Sequence, residues 1–470
     1  MRRYRRRDGP EGKGAIGLIL LAALLVATVV LADEKPKRRL FISLDAVPYQ
    51  VAEDVMDPAL GDEALFQGFK GPVRLVSTFP SSTSVALPGI LGPIGLRLSP
   101  GYEARFFDWN EGKVRGGGAV SYRKIEFPWR EWFDWGRKGV AGSAIEAVKP
   151  VKSGIKRLRN AMDDFVRSDK DEFWIYSAAT DIAGHVISPE AHKDFFRALD
   201  EMILEARQAS PDRPFDVVVF SDHGMEGGDP LINVFKPAKK ALKASGFRVK
   251  KKLKAPQVVV LTPFGLVSNF EAYTHDENKA RVAETLATVE GVDLCAYELE
   301  EGWRVESHRG SATLLQKELE DRVWWSYQPH HGDPLEFLDL MATMEQEGVA
   351  RQGWLPDEAC FEATFDAENP DPFYRIVHAF ELVTNPASVI CSVGRGYMYG
   401  APHTSVLAQF GKGRLRWTHG ALNREATLGF LFSDVEGWDA PEAVRFDQAI
   451  LPFHATVETE AGAEAQDPSW

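Results

Sequence analysis

The stretch FDVVVFSDHGM, residues 215–225, decides the fold. Its run from Val217 to Phe220 is apolar and rich in β-branched residues, which is typical of a strand covered on both faces in a parallel sheet. Asp222 and His223 follow where such a strand ends, and Gly224 permits a tight exit. Because ligands bind at the carboxyl edge of parallel sheets, this strand end is a candidate site. A solvated turn is the alternative for this stretch taken alone.

Two further apolar runs lead to acidic residues in the same way. RLFISLDAVPY places a strand directly before Asp45, and DEFWIYSAATDIAGH places one upstream of Asp181 and His185. A single aspartate after a strand is ordinary turn chemistry. Three such strand ends, two of them with a histidine within four residues, favour a shared site at one edge of a sheet.

The segments between these strands have helical periodicity. Apolar residues with helical spacing precede the second strand and follow it; they are Ile155, Leu158, Met162 and Phe165, and then Phe195, Leu199, Met202 and Ile203. Ser188 and Pro189 suit the start of the second helix, and His192 is expected on its surface. Alternating strands and helices predict an α/β fold with a doubly wound, mostly parallel sheet flanked by helices.

The N-terminus differs from the rest of the chain. MRRYRRRDGPEGKG is strongly basic, and residues 15–32 are eighteen residues without a charge. This length lies between a signal-peptide core and a short membrane helix, so a cleaved signal and an uncleaved anchor both remain open. Either alternative predicts an exported protein on the periplasmic or extracellular face.

Composition limits the partners. Hydrophobic residues make up 44% and charged residues 26% of the 470-residue chain, as in folded globular proteins. Residues 1–40 carry a net charge of +6 and the whole chain −13, which leaves −19 for residues 41–470. Because residues 41–470 are this acidic, the chain is not expected to act as a nucleic-acid scaffold. An anionic substrate would need local positive charge, which metal cations can supply.

Three cysteines are too few for a disulfide framework. A bridge between Cys360 and Cys391 is one option, but the sequence fixes no pairing. The sequence does not predict an oligomeric state.

A hydroxyl-rich turn supplies a candidate nucleophile. VRLVSTFPSSTSVALPGIL, residues 73–91, runs from a strand into Ser81, Ser82, Thr83 and Ser84. Capping and turn formation are the usual roles of such residues. A hydroxyl at this place can also bind a metal and attack phosphorus, while backbone N–H groups receive the phosphoryl oxygens. Pro88 requires any following helix to be short or kinked.

The ordered set LDAVPY, FPSSTS, TDIAGH, SDHGM and THGAL resembles the alkaline phosphatase superfamily, and most closely its type I phosphodiesterase/nucleotide pyrophosphatase branch. This resemblance spans residues 41–430. It implies Thr83 as nucleophile, three residues after Pro80 as in the family's P-x-x-T turn. It also implies two divalent metal ions, for which we expect Zn²⁺, with Mn²⁺ as the alternative. The implied ligands are Asp45, Asp222, His223 and Thr83 for one ion, and Asp181, His185 and His419 for the other.

Several positions depart from the family pattern or have competitors. Ala46 replaces the common glycine after the first aspartate, and no residue clearly matches the family's phosphate-binding asparagine, for which Asn110 is a guess. Ser82 is the alternative nucleophile. His403 and His331 are the alternatives to His419.

The resemblance divides the chain into a basic N-terminus and tether (1–40), a metal-dependent phosphoesterase domain (41–460) and a polar tail (461–470). A smaller peripheral insertion is expected around 255–395, in which GVDLCAYELEEGWRVESHRGSATLL predicts a β-hairpin followed by a strand.

The function implied is hydrolysis of a small phosphodiester or pyrophosphate through a phosphothreonine, with membrane contact only through the N-terminal segment. The alternatives are a phosphomonoesterase on the same fold and a catalytically inactive, membrane-tethered binding protein. A sulfatase is disfavoured because neither C-x-P-x-R nor S-x-P-x-R is present.

Overall fold

The three strands expected to lead to acidic residues lie side by side in one sheet. The computed structural model describes residues 37–117, 125, 127–136, 149–401 and 416–454. The N-terminal segment 1–36, His403 and the tail 461–470 are outside these residues.

In chain order the strands are β1 Arg38–Leu44, β2 Lys70–Val76, β3 Arg105–Asp108, β4 Lys113–Gly116, β5 Glu172–Ser177, β6 Phe215–Phe220, β7 Glu226–Gly227, β8 Ile232–Asn233, β9 Arg248–Val249, β10 Val258–Leu261, β11 Asn269–Tyr273, β12 Val292–Glu298, β13 Trp303–Ser307, β14 Gly310–Leu319, β15 Arg322–Gly332, β16 Leu355–Pro356, β17 Val389–Val393, β18 Tyr397–Met398, β19 Trp417–Thr418, β20 Leu428–Ser433 and β21 Ala443–Arg445.

Helices cover both outer surfaces of the molecule. They are α1 Tyr49–Met56, α2 Thr83–Leu91, α3 Trp129–Trp132, α4 Pro150–Arg167, α5 Ala179–Val186, α6 His192–Ala209, α7 Phe235–Ala244, α8 Lys279–Ala287, α9 Leu338–Gln346, α10 Asp357–Thr364, α11 Pro372–His378 and α12 Arg424–Thr427. Short 3₁₀ turns occupy Pro58–Glu63, Gly92–Ile94, Pro189–Ala191, Asp276–Asn278 and Leu451–Phe453. Among the described residues, no helix combines the length and the apolar character needed to span a bilayer.

The first sheet has the strand order β21-β2-β20-β6-β1-β5. β1 pairs in parallel with both β5 and β6, whereas β20 pairs antiparallel with β6 and with β2. β21 runs parallel to β2, so in the described part of this sheet only β20 opposes the common direction. The predicted α/β fold with a mostly parallel sheet is therefore confirmed.

The helices against this sheet follow the predicted periodicity. Helices α4 and α6 bury Leu158, Phe165, Phe195 and Leu199 against the face of the sheet that carries Ile42. A 3₁₀ turn precedes α6 after Ser188. The expectation that His192 lies on the surface is wrong, because this side chain is fully buried and its Nε2 contacts the carbonyl oxygen of Thr180 at 2.9 Å.

A second sheet, of order β16-β15-β14-β13-β12-β17-β11-β10-β9, is built from residues 248–393. The predicted hairpin is confirmed, since β12, β13 and β14 pair antiparallel in succession. Side chains from both sheets share one hydrophobic cluster, to which Val218 and Phe220 contribute from one side and Val260 and Leu294 from the other. Helices α7 and α8 cover the far face of the second sheet. The boundaries of the insertion remain a prediction.

Cys391 of β17 lies opposite Cys295 of β12 in this sheet. Cys360 lies on α10 and belongs to a different hydrophobic cluster. The structure therefore makes Cys295, and not Cys360, the neighbour of Cys391; all three are free thiols.

Candidate active site

The carboxyl edge of the first sheet gathers the predicted residues. Asp45 follows β1 directly, and Asp222 and His223 follow β6 after one residue. Asp181 and His185 differ from the expectation of a simple strand end, because they lie on α5, which begins two residues after β5. Their spacing of four residues places both on one face of this helix. His419 follows the short strand β19.

One group consists of Asp45, Asp222 and His223. One ligand atom from each lies within 4.8 Å of the others, and all three residues are buried. The Nε2 atom of His223 is 3.6 Å from Asp45 Oδ1 and 3.6 Å from Asp222 Oδ2. Two carboxylates and one imidazole facing one point form a suitable donor set for Zn²⁺ or Mn²⁺.

A second group consists of Asp181, His185 and His419, again with ligand atoms within 4.8 Å of one another. Asp181 Oδ1 is 3.1 Å from His185 Nε2 and 3.5 Å from His419 Nε2. The two groups adjoin, since the rings of His223 and His419 stack with centroids 4.3 Å apart. The structure thus brings all six predicted carboxylate and imidazole side chains to one place.

The three histidines are oriented by backbone carbonyl groups. Because a carbonyl oxygen only accepts hydrogen bonds, each Nδ1 must carry the proton. The pairs are His185 Nδ1 with Trp417 O (2.8 Å), His223 Nδ1 with Gly224 O (3.0 Å) and His419 Nδ1 with Ser81 O (3.1 Å). Burial lowers the pKa of His223 and of His419, which favours neutral rings. In His223 and His419 the Nε2 lone pair is therefore directed to the aspartates, the arrangement that outer hydrogen bonds give to metal-binding histidines. For His185, burial lowers the pKa, but the carboxylate of Asp181 outweighs burial and raises it.

The three aspartates bring more negative charge into this buried site than the imidazoles neutralise. Burial raises the pKa of Asp45 well above its ordinary value, and Asp222 and Asp181 raise it further. Burial also raises the pKa of Asp222 to about 7. For Asp181, burial acts in the same direction, but the imidazole of His185 outweighs it and lowers the pKa. Divalent cations would neutralise this repulsion.

Carboxylate oxygens that are buried without a hydrogen-bond donor indicate whether metal ions fit the site. Within the described part of the chain, Asp181 Oδ1 and Asp222 Oδ2 are buried and accept no hydrogen bond. Such oxygens are costly unless a cation or a donor pairs with them. One of them belongs to each group, so the residues present fit a divalent cation in each.

Thr83 lies beside the first group as the first residue of α2. Its Oγ1 donates to Asp45 Oδ1 at 3.0 Å and lies 3.4 Å from His223 Nε2. The helix ends at Leu91, which agrees with the short helix expected from Pro88. The alternative nucleophile, Ser82, is buried, and its Oγ is 3.5 Å from Tyr102 O instead of facing the aspartates.

A cavity of about 360 Å³ opens beside Thr83. Asp45, Asp181, His185 and His419 line it together with Thr83. Ser84 of the hydroxyl-rich turn also lines it, as do residues that the sequence analysis missed: Glu103, Trp129, Tyr176 and Phe264. Burial and the nearby Glu271 raise the pKa of Glu103 to about 8. Aromatic and acidic residues are too common in a sequence to be assigned to a cavity without the fold.

Tyr176 and Glu226 support the site from outside the two groups. The Tyr176 hydroxyl donates to Asp45 Oδ2. Glu226 accepts from Ser268 Oγ and from Asn423 Nδ2, both at 2.6 Å, and burial raises its pKa to about 7. Ser268 N donates to the carbonyl oxygen of His419 at 2.7 Å, so this network holds the segment that carries the histidine.

Gly224 is needed for a different reason from the tight turn that the sequence suggested. A Cβ atom at this position would lie 2.2 Å from Glu425 O and 2.8 Å from Leu428 O. Two backbone segments therefore approach each other here more closely than any side chain permits. This contact places His223 against the start of β20.

His331, an alternative to His419, and Asn110, the candidate phosphate-binding asparagine, lie outside the site. His331 is on β15 of the second sheet, where its Nδ1 is 3.2 Å from Ser311 Oγ, and it belongs to neither group. Asn110 is wrong as a phosphate-binding residue in this structure, because it is exposed in the turn between β3 and β4 and does not line the cavity. His403, the remaining competitor, lies outside the described residues.

Comparison with known proteins identifies the class. The sequence profile of the type I phosphodiesterase / nucleotide pyrophosphatase family matches residues 102–347, more than half of the chain. The chain therefore belongs to this family and is a hydrolase of the phosphodiesterase/nucleotide pyrophosphatase type, from a metal-dependent group of enzymes. No curated protein sequence matches the chain.

Solved structures with a similar fold include human ectonucleotide pyrophosphatase / phosphodiesterase 5, at 12% identity, covering 88% of this chain and 93% of the other with a TM-score of 0.47. Phosphonoacetate hydrolase from Sinorhizobium meliloti 1021 in complex with phosphonoformate aligns at 12% identity over 89% and 95%, with a TM-score of 0.44.

Proposed function

We propose that this protein hydrolyses phosphodiester or pyrophosphate bonds with two divalent metal ions and a covalent phosphothreonine at Thr83. The observation that carries the proposal is the position of the Thr83 hydroxyl, which is hydrogen-bonded to one three-residue ligand group and shares a cavity with the other. We expect Zn²⁺, with Mn²⁺ as the alternative, because each group combines carboxylate and imidazole donors.

Asp45, Asp222 and His223 would hold one ion together with Thr83 Oγ1, and Asp181, His185 and His419 would hold the other. When bound, the two ions lower the pKa of a coordinated hydroxyl group and neutralise charge on the transferred phosphoryl group. Asp45 Oδ1 accepts a hydrogen bond from the Thr83 hydroxyl, which holds Oγ1 at the wall of the cavity.

In the first step Thr83 Oγ1 loses its proton and bonds to phosphorus, the bond between phosphorus and the leaving oxygen breaks, and the leaving oxygen gains one proton in exchange. The leaving alcohol or phosphate departs on the side opposite Thr83. Water then cleaves the bond between Thr83 Oγ1 and phosphorus, which restores the threonine and releases the phosphorylated product. The N–H groups of Thr83 and Ser84 at the start of α2 would donate to the anion and stabilise its charge, whereas those of Val85 and Ala86 already donate to Ser82 O.

Replacing Thr83 with alanine tests the covalent step. Thr83→Ala should lower kcat for bis(4-nitrophenyl) phosphate by about 10³-fold or more, while metal content measured by mass spectrometry stays unchanged. Thr83→Ser is the control, since it retains a nucleophilic hydroxyl. Acid-quenched wild-type enzyme should yield a phosphopeptide that contains Thr83; one that contains phospho-Ser82, or full activity of Thr83→Ala, would refute the assignment.

Substrate comparison separates the alternatives. Faster hydrolysis of the bis-nitrophenyl diester than of the nitrophenyl monoester supports the phosphodiesterase, and the reverse order supports a phosphomonoesterase. Metal binding without hydrolysis of either would favour an inactive binding protein.

The protein is also proposed to act outside the cytoplasm, on the periplasmic or extracellular face. Support comes from the basic N-terminus and the eighteen uncharged residues 15–32. N-terminal sequencing of protein from membrane and soluble fractions distinguishes a retained anchor from a cleaved signal. Full-length protein confined to the cytoplasmic fraction would contradict export.

A further inference from the structure

Arg375 is a buried arginine in α11 that contacts the backbone on both sides of the site. Its side chain is fully buried. It donates from Nη1 to Pro370 O (2.8 Å) and Leu422 O (2.9 Å), and from Nη2 to Thr78 O (3.1 Å), Ser81 Oγ (3.0 Å) and Thr427 Oγ1 (2.8 Å). Every one of these acceptors is a neutral oxygen.

The Asp371 carboxylate, whose charge raises the pKa of Arg375 against the larger effect of burial, is already paired with another arginine. Asp371 accepts from Arg445 Nε at 2.7 Å and from Arg445 Nη2 at 3.0 Å. Within the described residues, no carboxylate accepts a hydrogen bond from Arg375. Burying a cation without a paired anion is costly, and burial lowers the pKa of Arg375 to about 9. The neutral acceptors must therefore be held closely around the guanidinium.

Four of these five acceptors belong to two segments that carry proposed catalytic groups; the fifth, Pro370 O, precedes α11 itself. Thr78 and Ser81 lie in the turn that leads into Thr83, whereas Leu422 and Thr427 follow His419 along the chain. Ser81 connects the segments directly: its hydroxyl accepts from Arg375, and its carbonyl oxygen accepts from His419 Nδ1. A shift of the guanidinium would therefore move the Thr83 turn relative to the His419 ring.

We propose that Arg375 is a positioning residue that fixes the distance and orientation of Thr83 relative to His419. This proposal rests on the function proposed above. The geometry favours arginine, because the planar guanidinium spreads five hydrogen bonds over two nitrogens, Nη1 to Pro370 O and Leu422 O and Nη2 to Thr78 O, Ser81 Oγ and Thr427 Oγ1. A lysine ammonium is a single point, so it can replace the hydrogen bonds of one of these nitrogens but not those of both.

Arg38 provides a matched control. It is also a buried arginine, and it donates to the backbone carbonyl oxygens of Lys170 (3.0 Å) and Phe165 (2.9 Å). Arg38 lies at the start of β1, while Asp45 lies just beyond the end of that strand. A lysine at position 38 therefore also removes guanidinium hydrogen bonds to backbone carbonyls, two instead of five, at the opposite edge of the sheet.

The experiment compares Arg375→Lys, Arg375→Met and Arg38→Lys in the whole protein, with folding checked by circular dichroism. We expect Arg375→Lys to lower kcat by about 10-fold to 100-fold, because small misplacements of reacting groups have effects of this size. KM should change much less. Visible absorption of the Co²⁺-loaded protein should also change, since His419 moves. Arg38→Lys should retain the wild-type kcat and spectrum.

Two results would overturn the positioning role. One is an Arg375→Lys protein with wild-type kcat and Co²⁺ spectrum; the other is an equal loss in Arg38→Lys, which would indicate general destabilisation. If Arg375→Met does not fold, Arg375→Lys decides. If the wild-type protein lacks phosphoesterase turnover, the proposed function fails, and the Co²⁺ spectra still report whether Arg375 positions His419.

Discussion

Replacing Tyr176 with phenylalanine should weaken metal binding at one group of ligands and leave the other unaffected. The substitution removes the hydroxyl that donates to Asp45 Oδ2. It retains the ring, which packs edge-on against Trp129 at 5.1 Å and tilted against Phe133 at 5.3 Å between centroids. The substitution therefore removes the hydrogen bond to Asp45 and keeps these two ring contacts.

The expected size follows from the chemistry of the lost bond. A hydrogen bond to a charged group contributes about 1.5–3 kcal/mol. At about 1.4 kcal/mol per tenfold change, this corresponds to a loss of metal affinity of about tenfold to 150-fold. Measured losses on removing partners of metal ligands, about 10-fold to 100-fold, lie in the same range.

Zinc titration in competition with a chromophoric chelator measures this loss. One of two bound equivalents should weaken in Tyr176→Phe, and the second should keep its wild-type affinity. Tyr327→Phe is the control, because Tyr327 donates to Asp333 at 2.5 Å and does not line the cavity. Wild-type affinity for both equivalents in Tyr176→Phe, or equal losses in the two variants, would refute the reasoning.

Two further predictions concern pH and packing. Because burial raises the pKa of Asp222 to about 7, a proton must leave this carboxylate before it binds a metal ion. Metal affinity should therefore fall as pH decreases through about 7, with proton release on binding detectable by calorimetry in two buffers; a pH-independent affinity would contradict this. Gly224→Ala should lower the free energy of unfolding in urea by about 1–3 kcal/mol or more, because its Cβ would contact backbone oxygens at 2.2 and 2.8 Å. Gly92→Ala is the control, with open space at its Cβ; equal stability of the two variants would refute the packing argument.

Local sequence patterns predicted the strands and helices around the site. The β-branched run before Asp222 is sufficient to indicate a buried strand, and an aspartate and a histidine four residues apart share a helix face wherever a helix forms. Family motifs then linked Asp45, Thr83 and His419 to these elements. The structure brings the six acidic and imidazole residues together beside Thr83, while their roles as ligands and nucleophile remain predictions.

The sequence predictions were wrong where the position of a side chain depended on solvent exposure or on a contact with a residue distant in the chain. His192 was expected on the helix surface, but it lies three residues before Phe195 and seven before Leu199, on the buried face of α6, and its Nε2 contacts Thr180 O. The neighbour of Cys391 depends on the register between β12 and β17, which no cysteine spacing predicts. Asn110 was chosen by residue type alone, and it is exposed in a turn and does not line the cavity.

The sequence by itself determined the α/β class, the order of the strands along the chain and the chemistry available at their carboxyl ends. These properties depend on hydrophobic periodicity and on short motifs, which act over a few neighbouring residues. Only the tertiary structure decided that Tyr176 orients Asp45 and that Arg375 joins the Thr83 turn to the segment after His419. Arg375 and Thr78 are 297 residues apart in the chain. Contacts of this kind arise when separate elements pack around a shared core, and no local pattern encodes them.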